Sequence, residues 1–178
     1  MDIKIRTEEK TDTNAVFHLI EQAFAKMEES DHKEQFLVER LRKSDAFVPE
    51  LSIVCEFDRK IIGYVLLTKV KIIDEPHKET GSLALGPIAV LPEFQEKGIG
   101  GKLIRFAHLR AKDLGFSSII LLGHDKYYPK FGYKMLKNYG IRLPFSVPDE
   151  NCLAIELVEN ALQGVNGTVK YATEFELG

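Results

Sequence analysis

Leu85-Gly86-Pro87-Ile88-Ala89-Val90-Leu91-Pro92-Glu93-Phe94-Gln95-Glu96-Lys97-Gly98-Ile99-Gly100-Gly101 reads as an apolar strand that runs into a glycine-punctuated turn, which opens onto a helical pattern. Such a turn gathers several unpaired backbone N–H groups at one point, where the helix dipole also favours negative charge. The geometry it predicts is a seat for a phosphate or pyrophosphate.

Working outward, the helix is expected to run to about Leu114. It would bury Ile99, Leu103, Phe106, Ala107, Ala111 and Leu114, show Lys102, Arg105 and Lys112 to solvent, and stop at Gly115. Residues 117–122 form a short apolar run suited to a strand buried on both faces. Strand, helix and second strand make a βαβ unit with parallel neighbours. Upstream, residues 51–57 and 61–73 read as strands joined by a hairpin at Asp58-Arg59-Lys60, with a loop at 44–50 and a polar connection at 75–81.

Nearer the N-terminus, residues 3–6 alternate as a half-exposed strand. Asp12 or Thr13 caps a helix striped by Val16, Leu19, Ile20, Ala23, Phe24 and Met27. An acidic connector, Glu28-Glu29-Ser30-Asp31, leads to a helix over 33–43 carrying Phe36, Leu37, Arg40 and Leu41. After the βαβ unit, residues 139–143, 152–158 and 169–177 have β character. In the last of these Val169, Tyr171, Thr173, Phe175 and Leu177 share one face, and Asn166-Gly167 signals a tight turn. No repeat or linker interrupts the chain. The expectation is a single domain over residues 1–178, mixed α/β, built on a central sheet.

Composition narrows the function classes. Of the 178 residues, 44% are apolar and 29% charged, ordinary for a soluble globular protein. A formal net charge of -3 argues against a general nucleic-acid binder, yet a local nest of N–H groups can still hold an anionic small ligand. No run is long enough to span a membrane and no signal-peptide core opens the chain, so a cytoplasmic location is expected. Cys55 and Cys152 sit in apolar strands without CxxC spacing and read as buried, reduced thiols. The five histidines have no metal-ligand spacing, so no metal is expected.

Two nucleotide readings of the turn fail. Gly98-Ile99-Gly100-Gly101 does not follow the dinucleotide GxGxxG spacing, and no GxxxxGK[ST] string occurs. What fits is Gln95-x-x-Gly98-x-Gly100, preceded by Gly86-Pro87-Ile88-Ala89-Val90. Further on, Tyr127-Tyr128-Pro129-Lys130-Phe131-Gly132-Tyr133 places a tyrosine four residues before a glycine-aromatic pair. The two strings, in this order and separated by a helix and a strand, resemble the signatures of the GCN5-related N-acetyltransferase (GNAT) superfamily. Within it, the run 83–133 is similar to the YhbS-like branch. The segment after about residue 138 matches only loosely.

The resemblance implies a mostly antiparallel sheet with a splayed parallel pair, flanked by helices, with an acyl-CoA core over about 83–133. Chain physics points the same way. Pro87 has no N–H for a ladder, and Gly86 before it permits a bulge, so the sheet can part there and leave backbone groups of Ile88 and Val90 unpaired. In the family a pantetheine arm enters that gap as a substitute strand. By the same resemblance the cofactor-binding residues are Ile88, Ala89, Val90, Gln95, Glu96, Lys97, Gly98, Ile99, Gly100 and Gly101. The co-substrate is acetyl-CoA, and the acceptor is a primary amine of a small molecule, peptide or protein. A homodimer is compatible with it; nucleic acid and membrane are not expected partners.

The chemistry implied is direct acetyl transfer. The Ile88 N–H polarises the thioester carbonyl, and Tyr128 protonates the leaving sulfur, a phenol donating to a thiolate of lower pKa. Tyr127 is the rival, about 100° around if the segment is helical, and reads better as closing the core edge. The general base is open: no carboxylate stands on Leu83-Ala84-Leu85-Gly86, while Glu56, the 28–31 connector, His124 and Asp125 are candidates by type only. A covalent acyl-cysteine route lacks an activating partner in sequence. The alternatives are a non-catalytic acyl-CoA sensor, or an acyltransferase with another donor or acceptor.

Overall fold

The computed structural model describes residues 1–76 and 78–176. In chain order the main elements are β1 (Ile3–Thr7), α1 (Thr13–Phe24), α2 (Glu34–Leu41), β2 (Phe47–Phe57), β3 (Lys60–Asp74), β4 (Lys78–Val90), α3 (Ile99–Asp113), β5 (Ser118–Leu122), β6 (Lys134–Met135), β7 (Ile141–Arg142), β8 (Cys152–Glu156) and β9 (Gly167–Lys170). The strands form one sheet in the order β1-β2-β3-β4-β5-β8-β6, with β9 paired to β3 and β7. β4 and β5 run parallel, as do β7 and β9; the other pairings are antiparallel. The expected mixed α/β sheet with a parallel β4–β5 pair is therefore the observed fold.

β3 is the axis of the sheet. Asp58 and Arg59 adopt positive φ (47° and 62°), the primed-turn geometry whose twist suits a two-residue hairpin, and so β2 folds back onto β3. β4 pairs along almost the whole of β3, and β9 takes up the far end at Lys71, Ile72 and Ile73. Val16, Leu19 and Ile20 of α1 and Ile99, Leu103, Ile104, Ala107 and Ala111 of α3 pack into one core with Ile53, Val65 and Leu67. Each Leu- or Ile-sized side chain so buried stabilises by about 1.5–3 kcal/mol. A second cluster, including Val70, Ile72, Ala84, Ile120 and Val169, gathers the C-terminal segments against the sheet. No helix among the described residues is long and apolar enough to cross a membrane.

Several boundaries differ from the sequence expectation. β2 starts at Phe47 inside the expected 44–50 loop, because Phe47 pairs with Thr68 and the register then slips past Pro49 before resuming at Ser52. β4 starts at Lys78, inside the expected connection at 75–81, and its polar start is held by the Lys71–Glu79 ion pair at 2.8 Å; His77 of that connection lies outside the described residues. α2 buries Gln35, Val38 and Leu41, while Phe36 points outward against Phe17. Met27 and Leu114 lie beyond the ends of their helices and are exposed.

The C-terminal expectations fare worst. Of 139–143 only Ile141 and Arg142 form a strand, following a 3-10 turn over Leu136–Tyr139. The strand at 169 ends at Lys170, and a 3-10 turn over Thr173–Phe175 brings the rings of Tyr171 and Phe175 to 5.2 Å. Leu177 lies outside the described residues. Asn166-Gly167 does not turn a hairpin, since β7 and β9 run parallel.

Gly167 is required for a different reason: it sits at φ +126°, where an added Cβ would overlap the Ile73 carbonyl. Gly167→Ala should therefore destabilise the protein by about 2–4 kcal/mol, read as a lowered urea midpoint. An unchanged midpoint would show that β9 can move off β3 at no cost.

Candidate active site

The site begins where two strands part. β4 and β5 share the rungs Leu83↔Ile119 and Ala84↔Ile120. On the other side of β4, Leu85 faces Leu67 and Ile88 faces Val65, so three steps along β4 oppose two along β3. The extra residue is a bulge at Gly86-Pro87, the pair expected to interrupt the sheet. Past it β4 stays zipped to β3. The Leu91 N–H donates to the Ile62 carbonyl at 3.0 Å, which puts Ala89, opposite Tyr64, in the same hydrogen-bonded phase. The peptide groups of Ile88 and Val90 therefore turn the other way, into the fork opening towards β5. One of them is already engaged: the Gln95 side-chain amide donates to the Val90 carbonyl at 3.0 Å. Gln95 thus braces the strand it follows.

The fork leads to the glycine turn. Glu96 and Gly98 take positive φ (60° and 77°), and a Cβ built on Gly98 would meet nothing within 4 Å. The chain reverses there and α3 begins. Its first bond runs from the Lys102 N–H to the Gly98 carbonyl at 3.1 Å, leaving the amides of Ile99, Gly100 and Gly101 outside the helical ladder. Ile99 anchors the turn by burying its side chain, whereas Glu96, Lys97 and Gly98 are exposed. The Lys97 ammonium donates to the Glu93 carbonyl at 2.8 Å and lies 5.2 Å from the Phe94 ring centroid. It is tied to its own loop.

The tyrosine pair comes next. Residues Tyr128–Phe131 form a 3-10 turn, with Pro129 in its first turn, where a missing N–H costs little. The two tyrosines diverge. Tyr128 is buried, packs over Gly123 at the end of β5, and lies edge-on to Tyr127 and Tyr133 with centroids 5.1 and 5.7 Å away. Burial pushes its phenol up to about 12, and its hydroxyl makes no hydrogen bond among the described residues. Tyr127 is half-buried, and its hydroxyl lies 3.1 Å from where a Cβ on Gly100 would stand. The tyrosine read as a core edge therefore overlooks the glycine turn.

Sequence reasoning missed a neighbouring pair. The ring nitrogen Nε2 of His108, on α3, lies 2.8 Å from the Tyr133 hydroxyl, and burial holds the imidazole down at about 4. Tyr133 was visible in the second motif; its partner was not, because only the packing of α3 brings the two together.

The candidate bases are dispersed. Glu56 is held by Arg6 at 2.9 Å, and the same guanidinium holds Asp12 at 2.6 Å, well away from the fork on the β1–β2 side. In the acidic connector, Ser30 bonds the Glu34 carboxylate and Asp31 accepts the Lys33 N–H, both at the start of α2. His124 and Asp125 are exposed just past β5. Both cysteines are buried free thiols, and burial pushes Cys55 up to about 11. Such a thiol is a poor nucleophile.

On the other side of the fork lies a cavity of about 1030 Å³. Leu85 and Gly86 of β4 and Leu121 and Leu122 of β5 line it together with Phe145 and Tyr171, and charged side chains share the lining. The C-terminal third of the chain, loosely read from sequence, builds this wall.

Known proteins share this fold. Residues 49–135 match the model of the acetyltransferase (GNAT) domain. Across 175 residues the chain is 29% identical to the uncharacterized N-acetyltransferase YjhQ of Escherichia coli K12, covering 96% of this chain and 92% of the relative. It is 26% identical over 171 residues to YhbS of the same organism, covering 96% and 97%. A crystal structure of a GNAT family acetyltransferase from Brucella melitensis in complex with acetyl-CoA superposes with a TM-score of 0.80 at 30% identity, over 98% of both chains. The crystal structure of Escherichia coli YhbS in complex with CoA gives 0.87 at 24% identity, over 98% of this chain and 92% of that one. The parted strands, the glycine turn and the near full-length similarity lead to one assignment: the chain belongs to the GNAT family of N-acetyltransferases.

Proposed function

We propose that this enzyme transfers an acetyl group directly from acetyl-CoA to a primary amine. The observation that carries the reading is the fork. β4 leaves β5 after Ala84↔Ile120, turns the Ile88 and Val90 amides into the gap, and runs straight into a turn with three free helix amides. An extended ligand with a polar amide arm and a pyrophosphate needs those groups in that order. The complexes of the Brucella melitensis relative with acetyl-CoA and of YhbS with CoA support the choice of ligand.

In this reading the amides of Gly98, Ile99, Gly100 and Gly101 hold the pyrophosphate, with Glu96 and Lys97 flanking it. Ile88, Ala89 and Val90 present the strand edge to the arm, and Gln95 fixes the edge by its bond to Val90. The Ile88 N–H meets the thioester oxygen and strengthens as charge grows there. The amine nitrogen attacks the carbonyl carbon, the carbon–sulfur bond breaks, and Tyr128 gives its phenolic proton to the departing sulfur. The amine's surplus proton leaves to water, and a proton taken up from water restores the Tyr128 phenol. No carboxylate is needed at the strand for this, because the reactive fraction is the neutral amine already present in solution. For an amine of pKa ~10.4 that fraction grows about tenfold per pH unit below the pKa.

Free-CoA release from acetyl-CoA across a panel of primary amines tests the assignment. Turnover should rise with pH through the neutral range. It should show no alkaline fall below about pH 10, since Tyr128, pushed up to about 12, keeps its proton there. A downturn about one to two pH units above neutral would assign the acid to a different group. Acetyl-CoA binding without release on any amine would leave a sensor.

A further inference from the structure

Arg105 and Lys130 form a charged ledge beside the glycine turn, and the transfer chemistry makes no use of it. The geometry points to this ledge as the seat of the ribose phosphate monoester of CoA, the group by which CoA differs from dephospho-CoA. The inference rests on the reading of the turn as the pyrophosphate site.

Helix geometry builds the ledge. Arg105 stands four residues after Gly101 and therefore on the same face of α3. Cα–Cβ bonds tilt towards the N-terminus of a helix, so this long side chain reaches back to the turn. A Cβ on Gly101 would lie 3.5 Å from Arg105 Nη1 and 3.4 Å from the Phe131 ring. The guanidinium carbon sits 4.8 Å from the centroid of that ring. The Lys130 ammonium lies 5.2 Å from the same centroid and 4.0 Å from that of Tyr127, whose hydroxyl overlooks Gly100. Both cations thus gather on the rings that border the Gly100 and Gly101 amides.

Their charge is uncommitted. Lys97, the cation of the turn itself, donates to the Glu93 carbonyl, and the exposed Lys60 and Lys71 are matched by Glu93 and Glu79. Arg105 and Lys130 pair with no carboxylate among the described residues. A ring face holds a cation in place without neutralising it. Two positive charges are therefore held next to a seat whose own donors are neutral amides.

The chemistry of the ligand then selects the group. The charge of a bridging pyrophosphate suits helix amides and the helix dipole. A phosphate monoester carries about −1.5 to −2 at neutral pH on three acceptor oxygens, and asks for more. Arginine meets two such oxygens with its planar fork, and lysine adds a point charge. In CoA the monoester stands on the ribose, next to the pyrophosphate and at the end opposite the thiol. The two tyrosines divide along the same line: Tyr128 packs over Gly123 at the end of β5, and Tyr127 and Phe131 face α3.

Calorimetry of CoA and dephospho-CoA on the full chain tests the ledge apart from turnover. Wild type should bind CoA about tenfold to thirtyfold more tightly than dephospho-CoA. With Arg105→Gln and Lys130→Gln combined, that preference should fall to within about twofold, and dephospho-CoA affinity should stay within about threefold of wild type. Both positions are exposed and glutamine is a good helix former, so the fold should persist, which a thermal melt checks. Equal binding of the two ligands by wild type, or an undiminished preference in the double variant, would overturn the proposal and leave the turn in place. Equal weakening of both ligands by the double variant would also overturn it, assigning the cations to the pyrophosphate. Failure of wild type to bind either ligand would remove the reading of the turn as well.

Discussion

Gly100→Glu is expected to abolish acetyl-CoA binding, with an affinity loss of at least about 100-fold. Gly100 contributes one of the amides left outside the α3 ladder, and the pocket they form is seated at the positive end of the helix. A glutamate there fills the space and sets a carboxylate against the incoming phosphates. The fold should survive, because a carboxylate in the first turn of a helix is favourable and glutamate is a better helix former than glycine. The one structural adjustment is a shift of the Tyr127 hydroxyl, which lies 3.1 Å from the new Cβ. Gly100→Ala isolates that adjustment and should cost only a small fraction of the affinity. Calorimetry with acetyl-CoA, alongside a thermal melt, separates the outcomes; unchanged affinity in a folded Gly100→Glu protein would remove the turn from the site.

Tyr128→Phe should lower kcat by about 10²–10⁴-fold, the usual range for loss of a positioned general acid, and leave acetyl-CoA affinity within about twofold. The ring's packing against Gly123 and Tyr133 is kept by phenylalanine, and the hydroxyl has no hydrogen bond among the described residues to lose. The substitution therefore reads chemistry and not folding. Tyr127→Phe is the comparison: its hydroxyl faces the glycine turn, so any effect should appear in acetyl-CoA affinity and not in kcat. Equal kcat for wild type and Tyr128→Phe would take Tyr128 out of the mechanism.

The parts of this fold that were legible in the sequence are those written in local chemistry. Gly86-Pro87 announces a strand that cannot continue its ladder, and the bulge stands there. Asp58-Arg59 announces a hairpin, and positive φ values confirm it. The βαβ unit and the parallel β4–β5 pair followed from period and from Gly98 through Gly115. What stayed hidden depends on long-range packing. The alternation from Val169 to Phe175 is an ordinary strand pattern, yet Tyr171 and Phe175 turn back on each other to wall a cavity. Glu56 had the right type for a base, but Arg6, fifty residues away in sequence, claims it. Tyr127 and Tyr128 could not be told apart until α3 and β5 were in place, since each faces a different one of them.

The β4 bulge has a mechanical consequence. Its surplus residue is accommodated inside a strand that remains bonded to β3 on both flanks, at Leu85 and again from Ile88 to Val90. The crevice is thus propped open by the scaffold before any guest arrives, and admission requires neither unzipping nor a rigid-body swing. Little conformational freedom is surrendered on association, so the free energy of contact is available for grip and alignment of the guest.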